Sequence, residues 1–176
     1  MNRQKNSKTS LRVLLAAITS SIAISVFAWS DNVDLLSDDN TLCKLEPESQ
    51  CTQSVRIGLQ APGVDWHESS MAQIRLDGAN LRGANLSRSI LQLANLKGAN
   101  LMLTNLEGAH LHAANLQEAN LMMANLKGAS LLDADLRGAN LHGANLSKTI
   151  LIQARFDGAT WVDGRVCAAG SVGGCL

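Results

Sequence analysis

Between Leu76 and Trp161, a large apolar residue recurs at every fifth position. Leucine occupies sixteen of these eighteen positions, and Phe156 and Trp161 occupy the last two. From Ala79 to Ala159, the residue two places before each of them is Ala, Ser or Thr, and asparagine usually stands between the two. A period of five fits neither an α-helix nor a flat strand. The pattern instead predicts extended segments of three residues, each followed by a two-residue corner.

A second period appears in the residues that depart from the asparagine pattern. Between positions 80 and 150, four of the five exceptions are spaced by twenty: Ile90, His110, Ser130 and Ile150. Twenty residues hold four five-residue units, which predicts a four-sided coil, and eighteen units divided by four give about 4.5 coils. Glycine occupies the second corner position eight times, as expected for a turn with positive φ.

These units resemble the A-(D/N)-L-x-x repeats of the pentapeptide-repeat family, as in Ala79-Asn80-Leu81, Ala84-Asn85-Leu86 and Ala134-Asp135-Leu136. The resemblance covers about half of the chain. It implies an all-β fold, a right-handed quadrilateral β-solenoid with Leu and Ala inside. Some relatives bind DNA gyrase as mimics of DNA. This chain departs from them, because its repeats carry eight basic and six acidic residues and no loop interrupts the coils.

The first thirty residues predict export. A basic leader with four Lys and Arg residues precedes the largely apolar run Val13–Ala28. This order is typical of a secretory signal peptide, residues 1–30, with cleavage after Ala28 or Ser30. The run is short and interrupted by Ser and Thr, unlike a membrane span, and an uncleaved N-terminal anchor is the alternative. The predicted location is periplasmic or secreted.

Four cysteines stand in two pairs on either side of the repeats, and the members of each pair are eight residues apart. Exported proteins meet an oxidising compartment, in which cysteines form disulfides. Four cysteines allow three pairings, but a disulfide tolerates only about 7 Å between Cα atoms. Because the repeats separate the two pairs, we predict Cys43–Cys51 and Cys167–Cys175. A zinc site is the weaker alternative, since neither pair has C-x₂₋₄-C spacing.

The segments on either side of the repeats are predicted to cap the two ends of the coil, which would otherwise expose apolar interior. For the N-terminal segment, the alternative is a recognition segment of its own. In the N-terminal segment, the alternation of Val55, Ile57 and Leu59 predicts a short strand. The predicted organisation is an N-terminal cap segment at 31–70 with Cys43–Cys51, the pentapeptide-repeat solenoid at 71–162, and a C-terminal cap loop at 163–176 with Cys167–Cys175.

Residues twenty positions apart are predicted to lie next to each other in neighbouring coils. This places four outward apolar side chains together: Met102, Leu103, Met122 and Met123. Contiguous exposed apolar surface often marks an interface, and methionine adapts to varied partners. These four residues are the candidate interface. The alternatives are cover by the N-terminal segment and exposure without a role. The opposite face carries a more scattered apolar column, formed by Ile90, Leu93, Leu132, Ile150 and Ile152.

Candidate chemistry is sparse. His110 and His112 flank Leu111, and Ser130 and Asp133 lie one coil away, which is the arrangement closest to a metal site. Two histidines without a third firm ligand do not support one, so no metal residues are predicted. The sequence contains no spacing typical of a nucleophile–base set, a phosphate loop or a catalytic carboxylate pair. We therefore predict no catalytic residues, no cofactor, no small-molecule substrate and no enzymatic activity.

The net charge of the chain without its leader limits the kinds of partner that it could bind. Without residues 1–30, eleven basic and fifteen acidic residues remain, a net charge of −4. This excludes the basic footprint of a nucleic-acid-binding protein. The predicted function is a non-catalytic exported repeat scaffold or protein-binding module that acts through its flat faces. The alternatives are a self-associating structural solenoid, as a homodimer for example, and a metal-binding or enzymatic protein.

Overall fold

The computed structural model describes residues 43–176, so the predicted signal peptide and residues 31–42 lie outside the described residues. Within this range there is no helix, and the β structure consists of isolated bridges instead of longer strands. Bridge residues occur at every fifth position from Gln50 to Thr160, and each pairs in parallel with a residue twenty places away. The twenty-residue period predicted from the sequence is confirmed.

Each coil has four sides, since twenty residues contain four five-residue units. We number the sides by their bridge residues. Side 1 carries Gln50, Ser70, Ile90, His110, Ser130 and Ile150, and side 2 carries Val55, Arg75, Asn95, Asn115, Asp135 and Arg155. Side 3 carries Gln60, Asn80, Asn100, Asn120, Asn140 and Thr160, and side 4 carries Asp65, Asn85, Asn105, Asn125 and Asn145.

Backbone hydrogen bonds tie each coil to the next in a repeated pattern. The N–H of an inward residue donates to the bridge residue of the next coil, as in Leu76 N to Asn95 O at 2.7 Å. The bridge residue donates back, as in Asn95 N to Ile74 O at 2.9 Å. The second corner residue adds a third bond, as in Gly78 N to Lys97 O at 2.8 Å. Neighbouring coils therefore satisfy one another's backbone groups, which a single coil cannot do alone.

The interior is formed by the inward leucines and the small residues before them. Every fifth residue from Leu76 to Leu141 is fully buried, as the sequence pattern predicts. Phe156 is also fully buried, and Trp161 packs edge-on against it with ring centroids 5.1 Å apart. Polar residues at the small position find partners, as in Thr104, whose hydroxyl donates to Leu81 O at 3.0 Å.

The second corner residue has positive φ at every corner from Glu48 to Gly158. Glycine occupies ten of these corners, and thirteen hold other residues. The prediction that the corner glycines adopt positive φ is confirmed. The same conformation at non-glycine corners shows that inter-coil pairing dictates the turn even where the side chain disfavours it by about 1–2 kcal/mol.

The coil begins earlier than the sequence predicts. The first bridge residue is Gln50, whereas the repeats were predicted from position 71. Bridge residues occupy 23 positions from Gln50 to Thr160, and 23 divided by four gives 5.75 coils instead of 4.5. The pattern is hidden in this first coil because its inward positions hold Cys51, Arg56, Ala61 and Trp66 in place of leucine.

The short strand predicted from Val55, Ile57 and Leu59 is wrong. Only Val55 forms a bridge, and the chain turns a corner at Ile57 and Gly58, which has φ 66°. Alternating apolar residues are typical of a strand, but here inter-coil register places Ile57 on the surface, 54% exposed. The in-register glycine at Gly58 is the sequence signal for this corner.

Both predicted disulfides are confirmed: Cys43–Cys51 and Cys167–Cys175, with Cα atoms 4.4 and 4.9 Å apart. The second closes the segment 163–176, which folds back along the last coil. Val166 pairs antiparallel with Thr160 on side 3, and Val172 pairs antiparallel with Arg155 on side 2. We call this segment the C-terminal cap, and it covers two of the four sides.

Asp135 takes the place of asparagine on side 2 and is held as a carboxylate. Arg137 donates to it at 2.6 Å and the Gln117 amide donates at 2.7 Å. The hydrogen bond from Arg137 is the main cause that lowers the pKa of Asp135, against the opposing effect of burial. The carboxylate therefore stabilises the fold when it is charged.

The positive φ of the corner residues predicts opposite effects on stability when glycine is removed and when it is introduced. Gly98→Ala should lower the free energy of unfolding by about 1 kcal/mol, because φ is 64° there although a Cβ would meet no atom within 4 Å. Ala113→Gly, at a corner with φ 53°, should raise it by a similar amount. Urea titration measures both. Equal stability of the two variants would contradict a strained corner.

The lowered pKa of Asp135 predicts a pH-dependent contribution to stability. Because the folded pKa lies below the unfolded value of about 3.9, the stabilisation is fully present above that value and is lost as the pH falls through the folded pKa. Asp135→Asn should therefore cost about 1 kcal/mol at pH 7 and little at low pH, measured by urea titration at both pH values. Asp133→Asn is the control, and a pH-independent cost of Asp135→Asn would contradict the assignment.

Candidate functional site

The four predicted interface residues lie together on the corner between sides 3 and 4. Met102 and Leu103 form this corner in one coil, Met122 and Met123 form it in the next, and Leu103 N donates to Met122 O at 3.0 Å. Leu103 and Met123 are 48% and 59% exposed, and the other two are half-buried. We call this contiguous apolar surface the methionine corner.

Glycine corners lie on both sides of the methionine corner along the coil axis. Gly83 precedes it in the same column and Gly143 follows it. A Cβ at Gly143 would lie 3.4 Å from Met123 Cγ, so Met123 extends over this glycine. The apolar side chains therefore form a ridge two coils long. Glycine borders the ridge at the second corner position, and the exposed Arg82 and His142 border it at the first corner position.

Asparagine rows flank this ridge and hold its backbone. The Oδ1 atoms of Asn100 and Asn120 accept from Met102 N and Met122 N at 3.3 and 3.2 Å. On side 4, each amide donates to the residue one coil before it, with distances of 2.9–3.3 Å in a row of five: Asp65, Asn85, Asn105, Asn125 and Asn145. These bonds support the interpretation of the asparagines as structural ladders.

The scattered apolar column lies on side 1 and the corner between sides 1 and 2, diagonally opposite the methionine corner. His110 and Ser130 separate Ile90 from Ile150 on side 1. At the corner, Ala113 separates Leu93 from Asp133 in the column of second corner residues. This column is interrupted by small and polar residues, whereas the methionine corner is continuous.

The two histidines do not converge. His112 Nδ1 lies 3.1 Å from Leu132 O and 3.8 Å from Asp133 Oδ2, while His110 is exposed on side 1. Among residues 43–176, no group of three His, Cys, Asp or Glu side chains could hold a metal ion. The arrangement provides a weak pair between His112 and Asp133 and no third ligand from Ser130.

A charged depression on the corner between sides 4 and 1 escaped sequence reasoning. It has a volume of about 550 Å³ and is lined by Ser87, Arg88, Asn105, Glu107, Gly108, Lys127, Gly128 and Lys148. Lys127 Nζ donates to Glu107 Oε1 at 2.9 Å, and this bond lowers the pKa of Glu107. Two glycines spaced by twenty, Gly108 and Gly128, are the signal that would have located it. Because Lys127 and Glu107 at its centre pair with each other, the depression is an open polar recess.

Residues 43–176 contain no helix that is long and apolar enough to cross a membrane. The surface features of the described residues are the methionine corner, the scattered column, the charged depression and the two ends of the coil. Of these, the methionine corner is a continuous set of four apolar side chains across two coils, on a backbone held by hydrogen bonds.

Comparison with solved structures shows similarity to repeat proteins of the same kind. A pentapeptide repeat protein (Rfr23) from the cyanobacterium Cyanothece 51142 is 34% identical, with a TM-score of 0.62, over 64% of this chain and 90% of that one. HetL, involved in heterocyst differentiation regulation in Nostoc sp. strain PCC 7120, is 30% identical with a TM-score of 0.29, over 68% and 66% of the two chains. A thylakoid-lumen protein from Arabidopsis thaliana is 22% identical with a TM-score of 0.38, over 72% and 76%.

No curated protein sequence is significantly similar to the chain. The family model for pentapeptide repeats matches eight copies within residues 69–108, 104–143 and 139–160, together 92 of the 176 residues. With the register of twenty, the buried leucines and the asparagine rows, this match establishes that the chain belongs to the pentapeptide-repeat family.

Proposed function

We propose that this protein is an exported, non-catalytic repeat scaffold that binds a protein partner through the methionine corner. The observation that carries the proposal is the continuous apolar ridge formed by Met102, Leu103, Met122 and Met123, with Leu103 and Met123 about half exposed. Pentapeptide-repeat proteins are structural repeat folds, some of which act through protein interactions. Its fold, in this proposal, is the right-handed quadrilateral β-solenoid of the family.

The ridge suits a partner with an apolar groove. Leu103 and Met123 lie next to Gly83 and Gly143, so their exposed side chains are accessible to a groove, and Arg82 and His142 border the ridge as polar residues. Methionine adds adaptability, since its unbranched thioether fits irregular surfaces. The backbone beneath is held by inter-coil bonds and by asparagine side chains, so binding orders few backbone dihedrals. A rigid backbone with adaptable side chains favours recognition without a catalytic step.

Export is supported by the basic leader, the apolar run Val13–Ala28 and the two disulfides. Disulfides persist in oxidising compartments, which include the periplasm and the extracellular space. The proposed location is therefore the periplasm or the exterior of the cell, where the partner would also reside.

The second candidate function is a self-associating structural solenoid. The observation that favours it is the partly open last coil, in which the C-terminal cap covers sides 2 and 3 only. A half-covered end of a parallel β coil retains the ability to pair with another chain.

A matched pair of variants tests the methionine corner. Leu103→Lys with Met123→Lys should weaken capture of a partner from envelope extract by about thirtyfold or more, because a charge replaces each apolar contact. Leu93→Lys is the control, since Leu93 also has positive φ and is 56% exposed, at the diagonally opposite corner. Equal capture by the ridge variant and the control would contradict the proposal. Urea titration should show similar stability for both.

Export predicts a defined N-terminus. Mass spectrometry of the protein recovered from the periplasm or medium should find chains that begin at Trp29 or Asp31, because cleavage follows Ala28 or Ser30. Recovery of the intact leader, with Arg3 and Arg12 still attached, would support the uncleaved anchor. Ala28→Arg with Ser30→Arg is the matched control, which should retain the leader because large charged residues do not fit a small-residue cleavage site.

A further inference from the structure

Among the described residues 43–176, no strand pairs with sides 4 and 1 of the last coil. One coil earlier, the inward N–H groups are paired, as in Leu126 N to Asn145 O and Leu131 N to Ile150 O. The corresponding N–H groups of Leu146 and Leu151 have no acceptor within residues 43–176, and neither do those of the corner residues Lys148 and Gln153. The carbonyls of Ala144 and Thr149 likewise accept no bond there. We call residues 144–153 the open edge.

The open edge also leaves the interior incompletely covered. Leu126 and Leu131 are fully buried, whereas Leu146 and Leu151 are only partly buried although they pack against the same core. On the capped half, Phe156 and Ala159 are fully buried, and Trp161 is partly buried. One further layer of backbone over sides 4 and 1 would complete both the hydrogen bonding and the burial.

The C-terminal cap has free groups of the complementary kind. Its inner edge is paired with the coil, as in Phe156 N to Ser171 O at 2.8 Å and Cys167 N to Ala159 O at 2.8 Å. Its outer edge presents the N–H and C=O groups of Val166 and Val172, which bond to nothing in the described part of the chain. Each valine thus offers one donor and one acceptor pointing away from its own coil.

Within residues 43–176, the end of the coil is a step: one strand layer covers sides 2 and 3, and no strand layer of this part of the chain covers sides 4 and 1. Consider a two-fold axis perpendicular to the coil axis, along the diagonal through the corner between sides 1 and 2 and the corner between sides 3 and 4. This rotation exchanges side 1 with side 2 and side 4 with side 3. The cap of each copy then lies over the open edge of the other, and each step fills its counterpart.

Strand direction also matches under this rotation. The cap runs antiparallel to its own coil, and the rotation reverses the coil direction once more. The cap of one copy therefore runs parallel to the open edge of the other, as a next coil would. In the coil, a bridge residue accepts from the inward N–H and donates to the carbonyl before it. By the same pattern, Val166 of one copy would pair with Asn145 of the other, and Val172 would pair with Ile150.

We propose that two copies of this chain join end to end through a two-fold interface in which the C-terminal cap of each pairs as a parallel strand with the open edge of the other. Val166 of one copy bonds to Leu146 N and Ala144 O of the second copy, and Val172 bonds to Leu151 N and Thr149 O. The interface leaves the methionine corner free, so it does not depend on partner binding there, and it rests on and specifies the self-association given above as the second candidate function.

The first experiment removes a donor that only the second copy uses. Val166→Pro deletes an N–H that has no acceptor within residues 43–176, and two-fold symmetry doubles the loss. Sedimentation equilibrium of the disulfide-intact chain should show a dimer whose dissociation constant rises about thirtyfold in the variant. Val166→Thr is the matched control, since it keeps the N–H and the β-branched shape, and it should dimerise as the parent does.

The second experiment reports the register directly and does not depend on whether proline perturbs the cap. Asn145→Cys combined with Val166→Cys should yield a disulfide-linked dimer under mild oxidation, because the two positions face each other across copies. Asn125→Cys combined with Val166→Cys is the control, one coil further away, and should not crosslink. Peptide mass mapping confirms that Cys167–Cys175 stays intact in each variant.

The outcomes separate the proposal from its competitors. A crosslinked dimer from the first cysteine pair alone, together with weaker association of Val166→Pro, supports the end-to-end interface. A parent chain that sediments as a monomer at every concentration overturns it. A dimer that is insensitive to Val166→Pro and fails to crosslink also overturns it. If that dimer is lost in the Leu103→Lys, Met123→Lys variant, the methionine corner is the self-association surface instead.

Discussion

Backbone pairing between coils at a register of twenty is the constraint on which the structure depends. A five-residue unit cannot satisfy its own N–H and C=O groups, so each unit relies on the units one coil before and one coil after it. The dependence explains why thirteen non-glycine corners accept positive φ. A corner that relaxed would break three kinds of inter-coil bond at once, which outweighs the strain of one left-handed residue.

The same constraint makes the ends of the coil its weak points, because the last layer has a neighbour on one side only. At the C-terminal end, the chain reverses and supplies an antiparallel strand, closed by Cys167–Cys175, over two of the four sides. Trp161 and Phe156 pack together beneath this half. On the other half, N–H groups have no acceptor within residues 43–176 and the inward leucines are partly buried, and these two observations are the basis of the proposed end-to-end pairing.

Between the ends, the surface is free to vary because the fold requires little of the corner residues. An inward leucine and a small residue must recur, but the two corner positions need only the turn conformation. The sequence uses this freedom unevenly: ion pairs such as Lys127–Glu107 on one corner, and four large apolar residues on another. The proposed function rests on the columns into which these variable residues stack, and the methionine corner is a column of four contiguous apolar residues.

By itself, the sequence determined the repeated part of this protein. The five-residue period, the twenty-residue period of its exceptions, the inward leucines, the corner glycines and both disulfide pairings are local or periodic properties, so they can be read without coordinates. The stacking by twenty was enough to place Met102 beside Met122. The same period of twenty residues places Leu103 beside Met123 on that corner.

Only the tertiary structure decided where the pattern starts and how it ends. The first coil, from Gln50, has Cys51, Arg56, Ala61 and Trp66 in its inward positions, so its identity rests on hydrogen bonds to the next coil and not on composition. The C-terminal cap covers two sides and leaves two open because chain reversal after Trp161 directs the strand back over sides 3 and 2. A repeat pattern in the sequence reports the contacts that every inner coil makes. An end coil has a neighbouring coil on one side only, so its contacts depend on the path of the flanking chain.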